Sequence, residues 1–182
     1  MLPDKEINIS FRVMTAADFP RMTGWLNDPE VRQWYGKKSW TPESASAYLK
    51  PKIDEVPRRT YSYIIQLGRA DAGYIQTYLL SSYENYDKYI QSEEGTAGID
   101  LFLAPDYMHK GHGSRIIKKF MQTYIFSGKL FSADKCTVGP EPKNISAIRM
   151  YEKAGFKWIK TVDIPDEDEP EYIMIIRKEV IC

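Results

Sequence analysis

The chain has 182 residues, of which 43% are hydrophobic and 27% are charged. This length and composition predict a single globular domain, residues 1–182, that buries a core of its own. Lysine plus arginine and aspartate plus glutamate each number 25, so the formal net charge is zero. That balance argues against a nucleic-acid partner held by bulk charge. No apolar run approaches the roughly 20 residues that span a bilayer, so no membrane partner is expected.

Cysteine use and the N-terminal residues indicate the compartment. The two cysteines are Cys136 and Cys182, and because one is the last residue we expect no native disulfide and a reducing environment. Residues 1–10 contain no cationic segment followed by an apolar one, so no signal peptide is expected. We therefore expect a cytoplasmic protein, either a monomer or a homodimer.

The predicted elements alternate between strands and helices. Residues 7–13 alternate apolar and polar side chains as a strand does, and Thr15 and Thr41 are candidate N-caps of two helices. Further strands are predicted at 60–68, 73–81, 97–105, 135–140, 156–162 and 171–180, and further helices at 114–126 and 144–155. Asn144 is expected to cap the last helix and Gly155 to end it. Residues 82–96 are polar, acidic and tyrosine-rich, which indicates a loop or irregular segment. The order predicts a mixed α/β domain with a central parallel strand pair and antiparallel hairpins.

The segment MHKGHGSR, residues 108–115, lies between a predicted strand and a predicted helix. Gly111 and Gly113 permit positive φ and close approach, and the first amides of a helix are donors that suit a phosphate. A glycine pair alone is equally typical of a plain turn, and neither the Rossmann nor the Walker spacing is present. The two histidines of the chain and one candidate thiol are too few for a zinc site, so no metal is expected.

A second motif decides between these interpretations. The segment NISAIRMYEKAGF, residues 144–156, matches the pattern Asn-x-x-Ala-x-x-x-Tyr-x-Lys-x-Gly-Phe at Asn144, Ala147, Tyr151, Lys153, Gly155 and Phe156. With the glycine turn and the order of elements, the chain resembles the GCN5-related N-acetyltransferases (GNAT) over almost its whole length. The resemblance implies a single-domain α/β fold whose mixed, mostly antiparallel sheet splays at the central parallel pair, with helices on both faces.

The resemblance also implies acetyl-coenzyme A as the acetyl donor. Its pyrophosphate would lie on the amides of His109, Lys110, Gly111, His112, Gly113 and Ser114, and its pantetheine arm beside Leu101, Phe102 and Leu103. Asn144 and Lys153 are expected at the same site. Tyr151 is expected to protonate the departing thiolate, although a tyrosine by itself is more often a core residue. Met108 replaces the family's frequent Gln or Arg, and Lys110 is a candidate source of the missing charge.

Four segments resemble one branch, the aminoglycoside 6'-N-acetyltransferases: WLNDPEVRQWYG (25–36), GYIQTY (73–78), GIDLFLA (98–104) and AIRMYEKAGF (147–156). This resemblance implies that Asp100 handles the acceptor amine and that Trp34 and Tyr35 shape the substrate pocket, and we also expect Tyr78 to contact the substrate. Asp100 also stands out physically, because a lone acid in an apolar strand is costly to bury without a reason. Its other interpretation is a carboxylate bonded to neighbouring backbone.

Two acidic segments favour a cationic acceptor. Acids in 82–96 and in 163–171 would attract a polyamine if both segments flank the cleft, and Glu84 and Asp166 are our candidate contacts. Acidic tips are also commonly just solvated. Related sequences carry Asp-Pro where this chain has Gly139-Pro140. An acid is therefore missing there, unless Glu141 or the acidic tip compensates.

The sequence thus predicts direct acetyl transfer to the 6'-amine of an aminoglycoside in a ternary complex. Cys136 is not expected to carry the acyl group, because no histidine–acid arrangement would activate it. Two alternatives stay open. One is a GNAT enzyme for another amine, such as a siderophore-precursor hydroxylysine or a protein N-terminus. The other is a non-catalytic acyl-coenzyme A sensor.

Overall fold

A computed structural model describes residues 7–165 and 167–181 of the chain. Its strands are β1 (Ile9–Val13), β2 (Thr60–Leu67), β3 (Ala70–Leu79), β4 (Thr96–Leu103), β5 (Lys135–Val138), β6 (Lys157–Val162) and β7 (Glu171–Arg177). They form one sheet in the order β1-β2-β3-β4-β5-β7-β6. The β4–β5 pair is parallel and the other described pairs are antiparallel. The predicted mixed, mostly antiparallel sheet is confirmed.

The helices are α1 (Phe19–Asn27), α2 (Pro29–Arg32), α3 (Pro42–Leu49), α4 (Pro51–Asp54), α5 (Glu84–Ile90), α6 (Gly113–Phe120) and α7 (Ile145–Ala154). Two predicted caps are confirmed. Thr41 accepts a hydrogen bond from Ser44 N at 3.1 Å before α3, and Asn144 accepts one from Ala147 N at 3.1 Å before α7. Among the described residues, no helix is long and apolar enough to cross a membrane.

The interpretation of 82–96 as an irregular segment is wrong, because α5 lies within it. Ile90 is only 2% exposed and packs with Leu80 and Ile173, while Tyr86 packs against the same small cluster. Tyr86 and Ile90 are four residues apart and so share one face of the helix. Acidic and amide side chains elsewhere in the segment hid this short apolar face from the sequence pattern.

Helices cover both faces of the sheet, as expected. One face packs against α6 and α7 through a cluster that includes Ile99, Ile117 and Phe120. The other packs against α1 to α4 through a cluster that includes Leu26 and Phe102. Because successive side chains of a strand point to opposite faces, β4 contributes to both cores.

The sheet opens at its centre. The β4–β5 ladder runs from the pair Thr96–Lys135 to the pair Gly98–Thr137 and ends there. The rest of β4 stays paired with β3 as far as Leu103, so its other edge has no strand partner. The predicted splay is confirmed, and it leaves backbone donors and acceptors of β4 available to a ligand.

Candidate active site

A cavity of about 1200 Å³ opens where β4 and β5 part. Its walls come from the unpaired half of β4, the glycine turn before α6, the start of α7, the segment after α2 and the acidic tip between β6 and β7. The predicted coenzyme residues line it together: Leu101, Phe102, Leu103, His109, Lys110, Gly111, His112, Gly113, Ser114, Asn144 and Lys153. Asp100, Tyr151, Trp34 and Tyr35 line the same cavity.

The glycine turn has left-handed backbone at two positions. Gly111 has a φ of +79°, as expected, and His109 has a φ of +55° although it carries a side chain. Gly113 begins α6 and has no left-handed φ. It uses instead the close approach that glycine permits. A Cβ on Gly113 would overlap Met150 Sδ, so the turn is held tightly against α7.

The start of α6 provides backbone donors. The amide of Ile116 donates the first helical hydrogen bond, to His112 O at 3.0 Å, so the amides at 113 and 114 precede the bonded turns. Ser114 is buried, whereas Lys110 is exposed with Nζ 5.9 Å from the centre of the Tyr107 ring. A helix start with a nearby exposed ammonium is a suitable environment for phosphate oxygens.

Asp100 is held by an amide whose orientation is fixed. Gln76 faces Asp100 across the β3–β4 ladder, and its Nε2 donates to Asp100 Oδ2 at 2.6 Å. Lys52 Nζ donates to Gln76 Oε1 at 2.8 Å, and the Tyr74 hydroxyl donates to the same oxygen at 2.7 Å. An ammonium can only donate, so the amide oxygen must face Lys52 and the amide NH₂ must face Asp100.

The environment of Asp100 suits a proton acceptor. Burial raises the pKa of its carboxyl above the ordinary value of 3.8, while the hydrogen bond from Gln76, the charge of Lys52 and a hydrogen bond from Tyr78 act to lower it. A carboxylate with a raised pKa is a stronger base, yet these partners still favour the ionised form.

Tyr151 lies on α7, is 7% exposed and packs edge-on against Phe156 with ring centres 5.6 Å apart. Burial raises the pKa of its hydroxyl above the ordinary value of 10, and the nearby charge of Asp100 raises it further. The hydroxyl therefore keeps its proton at neutral pH. Its ring belongs to the core while its residue lines the cavity, so the core and acid interpretations of this tyrosine are compatible.

Aromatic side chains form part of the cavity wall. Trp34 is 39% exposed. Tyr35 packs edge-on against Phe102 with ring centres 5.0 Å apart, and Tyr48 lines the same cavity. Tyr78 lies in a smaller cavity of about 280 Å³ that Asp100 also lines. Burial raises the pKa of Tyr78 well above its ordinary value, so it is a neutral neighbour of Asp100.

The two acidic segments differ in whether they line the cavities, although the sequence led us to expect both beside the cleft. Residues of the tip between β6 and β7 do line the large cavity: Glu167, Asp168, Glu169 and Glu171. No acid of 82–96 lines either cavity, which corrects the expectation that both segments flank the cleft. Glu84 is exposed at the start of α5, and the Glu93 carboxylate pairs with Arg177 and Lys135 at 2.8 and 3.5 Å. Asp166 lies outside the described residues.

Sequence reasoning missed four side chains around Asp100: Gln76, Lys52, Tyr86 and Glu171. Two of them were within reach of the sequence pattern. Gln76 shares one strand face with the predicted Tyr78, because the two are two residues apart in β3. Glu171 was counted among the tip acids but was not selected. The contributions of Lys52 and Tyr86 depend on where α4 and α5 pack, which no local pattern reveals.

Other reactive groups of the sequence are the Cys136 thiol and the candidate metal ligands. Cys136 is fully buried in β5, and burial raises the pKa of its thiol well above the ordinary value, which agrees with the expectation that it is unreactive. Over 7–165 and 167–181, no three histidine, cysteine, aspartate or glutamate side chains are grouped to hold a metal ion.

Comparison with known proteins accounts for this geometry. The sequence model of the acetyltransferase (GNAT) domain matches residues 14–164. This chain belongs to the GNAT acetyltransferase family. Among curated GNAT relatives, aminoglycoside N(6')-acetyltransferase type 1 of Klebsiella pneumoniae is 29% identical over 164 residues, covering 87% of this chain and 79% of that protein. A kanamycin resistance protein of Rhizobium radiobacter is 34% identical over 77 residues, which is 42% of this chain and 68% of that protein.

Solved structures of acetyltransferases share the architecture. Aminoglycoside acetyltransferase AAC(6')-Ib, solved with coenzyme A and kanamycin, has a TM-score of 0.74 and 26% identity, with coverage of 94% of this chain and 96% of that one. Spermidine N-acetyltransferase from Vibrio cholerae is only 14% identical, with a TM-score of 0.73 and coverage of 94% and 96%. At that identity the second likeness shows the fold alone.

Proposed function

We propose that this protein transfers the acetyl group of acetyl-coenzyme A to the 6'-amine of an aminoglycoside. The observation that carries the proposal is one cavity that joins three features: a phosphate-suited helix start, the unpaired edge of β4, and Asp100 backed by the acidic tip. Relatives named as aminoglycoside 6'-acetyltransferases, which align over most of the chain, support the choice of acceptor.

The donor end has the chemistry that coenzyme A needs. The amides at the start of α6 and the exposed Lys110 suit its pyrophosphate. The free edge of β4, from Leu101 to Leu103, suits the two amides of its pantetheine arm, because each can replace a missing strand partner. When bound, acetyl-coenzyme A supplies a thioester whose acetyl carbon is open to attack by an amine.

The acceptor end prepares the amine. An aminoglycoside amine is mostly protonated at neutral pH and must lose a proton before it attacks. Asp100 holds the ammonium and takes that proton, directly or through a water. The surrounding acids favour binding of a polycation and raise its rate of encounter with the site.

The remaining steps are assigned to backbone and to α7. A backbone N–H of the unpaired stretch, at Leu101 or Phe102, stabilises the negative charge that develops on the carbonyl oxygen. The amine nitrogen bonds to the acetyl carbon as the carbon–sulfur bond breaks. Tyr151, still protonated because burial raises its pKa, gives its proton to the departing sulfur. The nitrogen releases its second proton to solvent as the amide forms, and Tyr151 regains a proton from solvent.

The test is release of free thiol from acetyl-coenzyme A in the presence of kanamycin. We expect thiol release from the wild-type protein and a fall in kcat of about 100-fold or more in Asp100→Asn, which keeps the shape but removes the base. If no aminoglycoside with a 6'-amine releases thiol, the proposal is wrong. A loss of drug sensitivity in a host that expresses the chain is the matching observation in cells.

We further propose that the chain works as one acetyltransferase domain in the cytoplasm, where its acetyl donor is made. One continuous sheet from β1 to β6 supports the single domain. The assigned groups all come from one chain, so the proposed reaction needs no partner subunit. Limited proteolysis that leaves one resistant core would agree with the single domain, and two separable fragments would contradict it.

A further inference from the structure

Gly139 has no acidic side chain of its own, but a carboxylate from another residue lies beside it. Gly139 follows β5, and β7 returns beside it, with Tyr172 N donating to Pro140 O at 2.8 Å. A Cβ built on Gly139 would overlap Glu171 Oε2 and lie 3.0 Å from the Glu171 carboxyl carbon. The Glu171 carboxylate therefore occupies the space that a side chain at position 139 would fill.

Glu171 is fixed in this place. Tyr86 donates its hydroxyl hydrogen to Glu171 Oε2 at 2.6 Å, and β7 begins at Glu171 itself, which anchors the backbone. Two neighbouring acids have cationic partners: Glu169 of the tip pairs with Lys143, and Glu141 pairs with Lys37 at 2.6 Å. The charges of those two acids are thus already balanced, whereas Glu171 is bonded to a neutral hydroxyl.

Glu171 and Asp100 belong to one site, because both line both cavities. The smaller cavity also carries Glu167. Within 7–165 and 167–181 its lining contains one lysine, Lys52, which is bound to Gln76. Two partly buried carboxylates near one another are unfavourable unless a cation lies between or beside them. An acceptor with a single ammonium, held at Asp100, would leave Glu171 without a counter-charge.

We propose that Glu171 binds a second ammonium group of the acceptor, and that it replaces in space the acid absent at Gly139. This rests on the proposed function and deepens it, because it predicts tighter binding of acceptors that carry at least two amines. Glu171 lies beyond residue 164, where the family match ends, so the family pattern does not assign it this role.

The first experiment compares acceptors with two or more amines and with one. Thiol release is measured with kanamycin and with 6-amino-6-deoxyglucose, a sugar with a single amine. We expect Glu171→Gln to raise KM for kanamycin about tenfold, which is a loss typical of one charge-assisted contact. The value of kcat should change less than twofold, and KM for the single-amine sugar should stay the same. Glu179→Gln is the matched control, since Glu179 is exposed just after β7 and lines neither cavity.

The second experiment moves the carboxylate. Gly139 has no left-handed φ, so its backbone permits a side chain once Glu171 is shortened. We expect Gly139→Asp alone to be impaired by overlap with Glu171. Glu171→Ala should lose affinity for kanamycin, and the double variant Gly139→Asp, Glu171→Ala should regain it. The double variant Gly139→Ala, Glu171→Ala should not regain affinity, because it restores volume without charge.

The outcomes separate the two proposals. A wild-type protein that acetylates kanamycin, together with a Glu171→Gln variant of unchanged KM, overturns the role of Glu171 and leaves the proposed function intact. An equal loss for both acceptors also overturns it, since that result indicates a general structural effect. Calorimetric titration with kanamycin measures binding directly when no thiol is released. A wild-type protein that neither binds nor acetylates kanamycin or any other aminoglycoside with a 6'-amine overturns both proposals.

Discussion

Glu171 should make the free protein less stable as the pH rises. Burial raises the pKa of its carboxyl to about 7 from the ordinary 4.5, and the charges of Asp100 and Glu167 add to this. A group whose pKa is higher in the folded state contributes stability at low pH and loses it as the pH rises through the folded value. The window for Glu171 therefore runs from about pH 4.5 to about pH 7.

The pKa values set the size of the effect. At 1.4 kcal/mol for each pH unit, the wild-type protein should lose about 2–3 kcal/mol from this one group between pH 5 and pH 8. Glu171→Gln keeps the shape of the protonated carboxyl and cannot ionise. We expect the two proteins to have similar stability at pH 5 and the variant to be about 2–3 kcal/mol more stable at pH 8.

Urea unfolding at the two pH values measures this difference directly. Other titrating groups are present in both proteins, so they largely cancel in the comparison. In thermal unfolding the same change corresponds to roughly 5–10 °C in Tm for a chain of this size. This prediction is refuted if the difference in unfolding free energy between the variant and the wild type does not grow between pH 5 and pH 8. Glu171 would then ionise as easily in the folded protein as in water. Kanamycin should reduce the extra stability of the variant over the wild type, because a bound ammonium favours the charged form of the Glu171 carboxylate.

Three further predictions concern the donor and the base. Tyr151→Phe should lower kcat at least tenfold with little change in coenzyme affinity measured by calorimetry, and an unchanged kcat would return this residue to a core role. Gly111→Val should weaken coenzyme binding strongly, because Gly111 has a φ of +79°, whereas His109→Ala should leave it nearly unchanged if the backbone is the donor. Gln76→Met removes a hydrogen bond that lowers the pKa of Asp100. The acid limb of the kcat/KM pH profile should therefore move to higher pH, and a profile that stays in place would contradict the role assigned to Gln76.

The sequence predicted most of the fold because its signals were local. Asn144 and Gly155 bound the α7 helix as their capping preferences require, and Gly155 indeed has a φ of +107°. The strand-turn-helix around Gly111 placed the donor site. These features depend on a few neighbouring residues and their backbone preferences.

The acceptor side was harder because it depends on contacts between distant segments. Gln76 reaches Asp100 only through the strand register, and Glu171 reaches the site only because β7 returns beside Gly139. The absence of an acid at Gly139 was visible in the sequence. The residue that fills its place, 32 positions later in the chain, was not. Acid counts alone also misplaced 82–96, because Tyr83 and Tyr86 of this segment line the smaller cavity and its carboxylates do not.

The contact between Lys52 and Gln76 links the evolution of substrate range to that of base strength. Lys52 lies with Nζ 4.6 Å from the centre of the Tyr48 ring, and Tyr48 lines the large cavity together with Tyr35. The same Lys52 orients the amide that holds Asp100. Mutations that move this wall to admit a bulkier acceptor would also disturb the proton acceptor. Adaptation to new acceptors should therefore require compensating changes on α4, or proceed through the acidic tip, which is not coupled to Lys52 in this way.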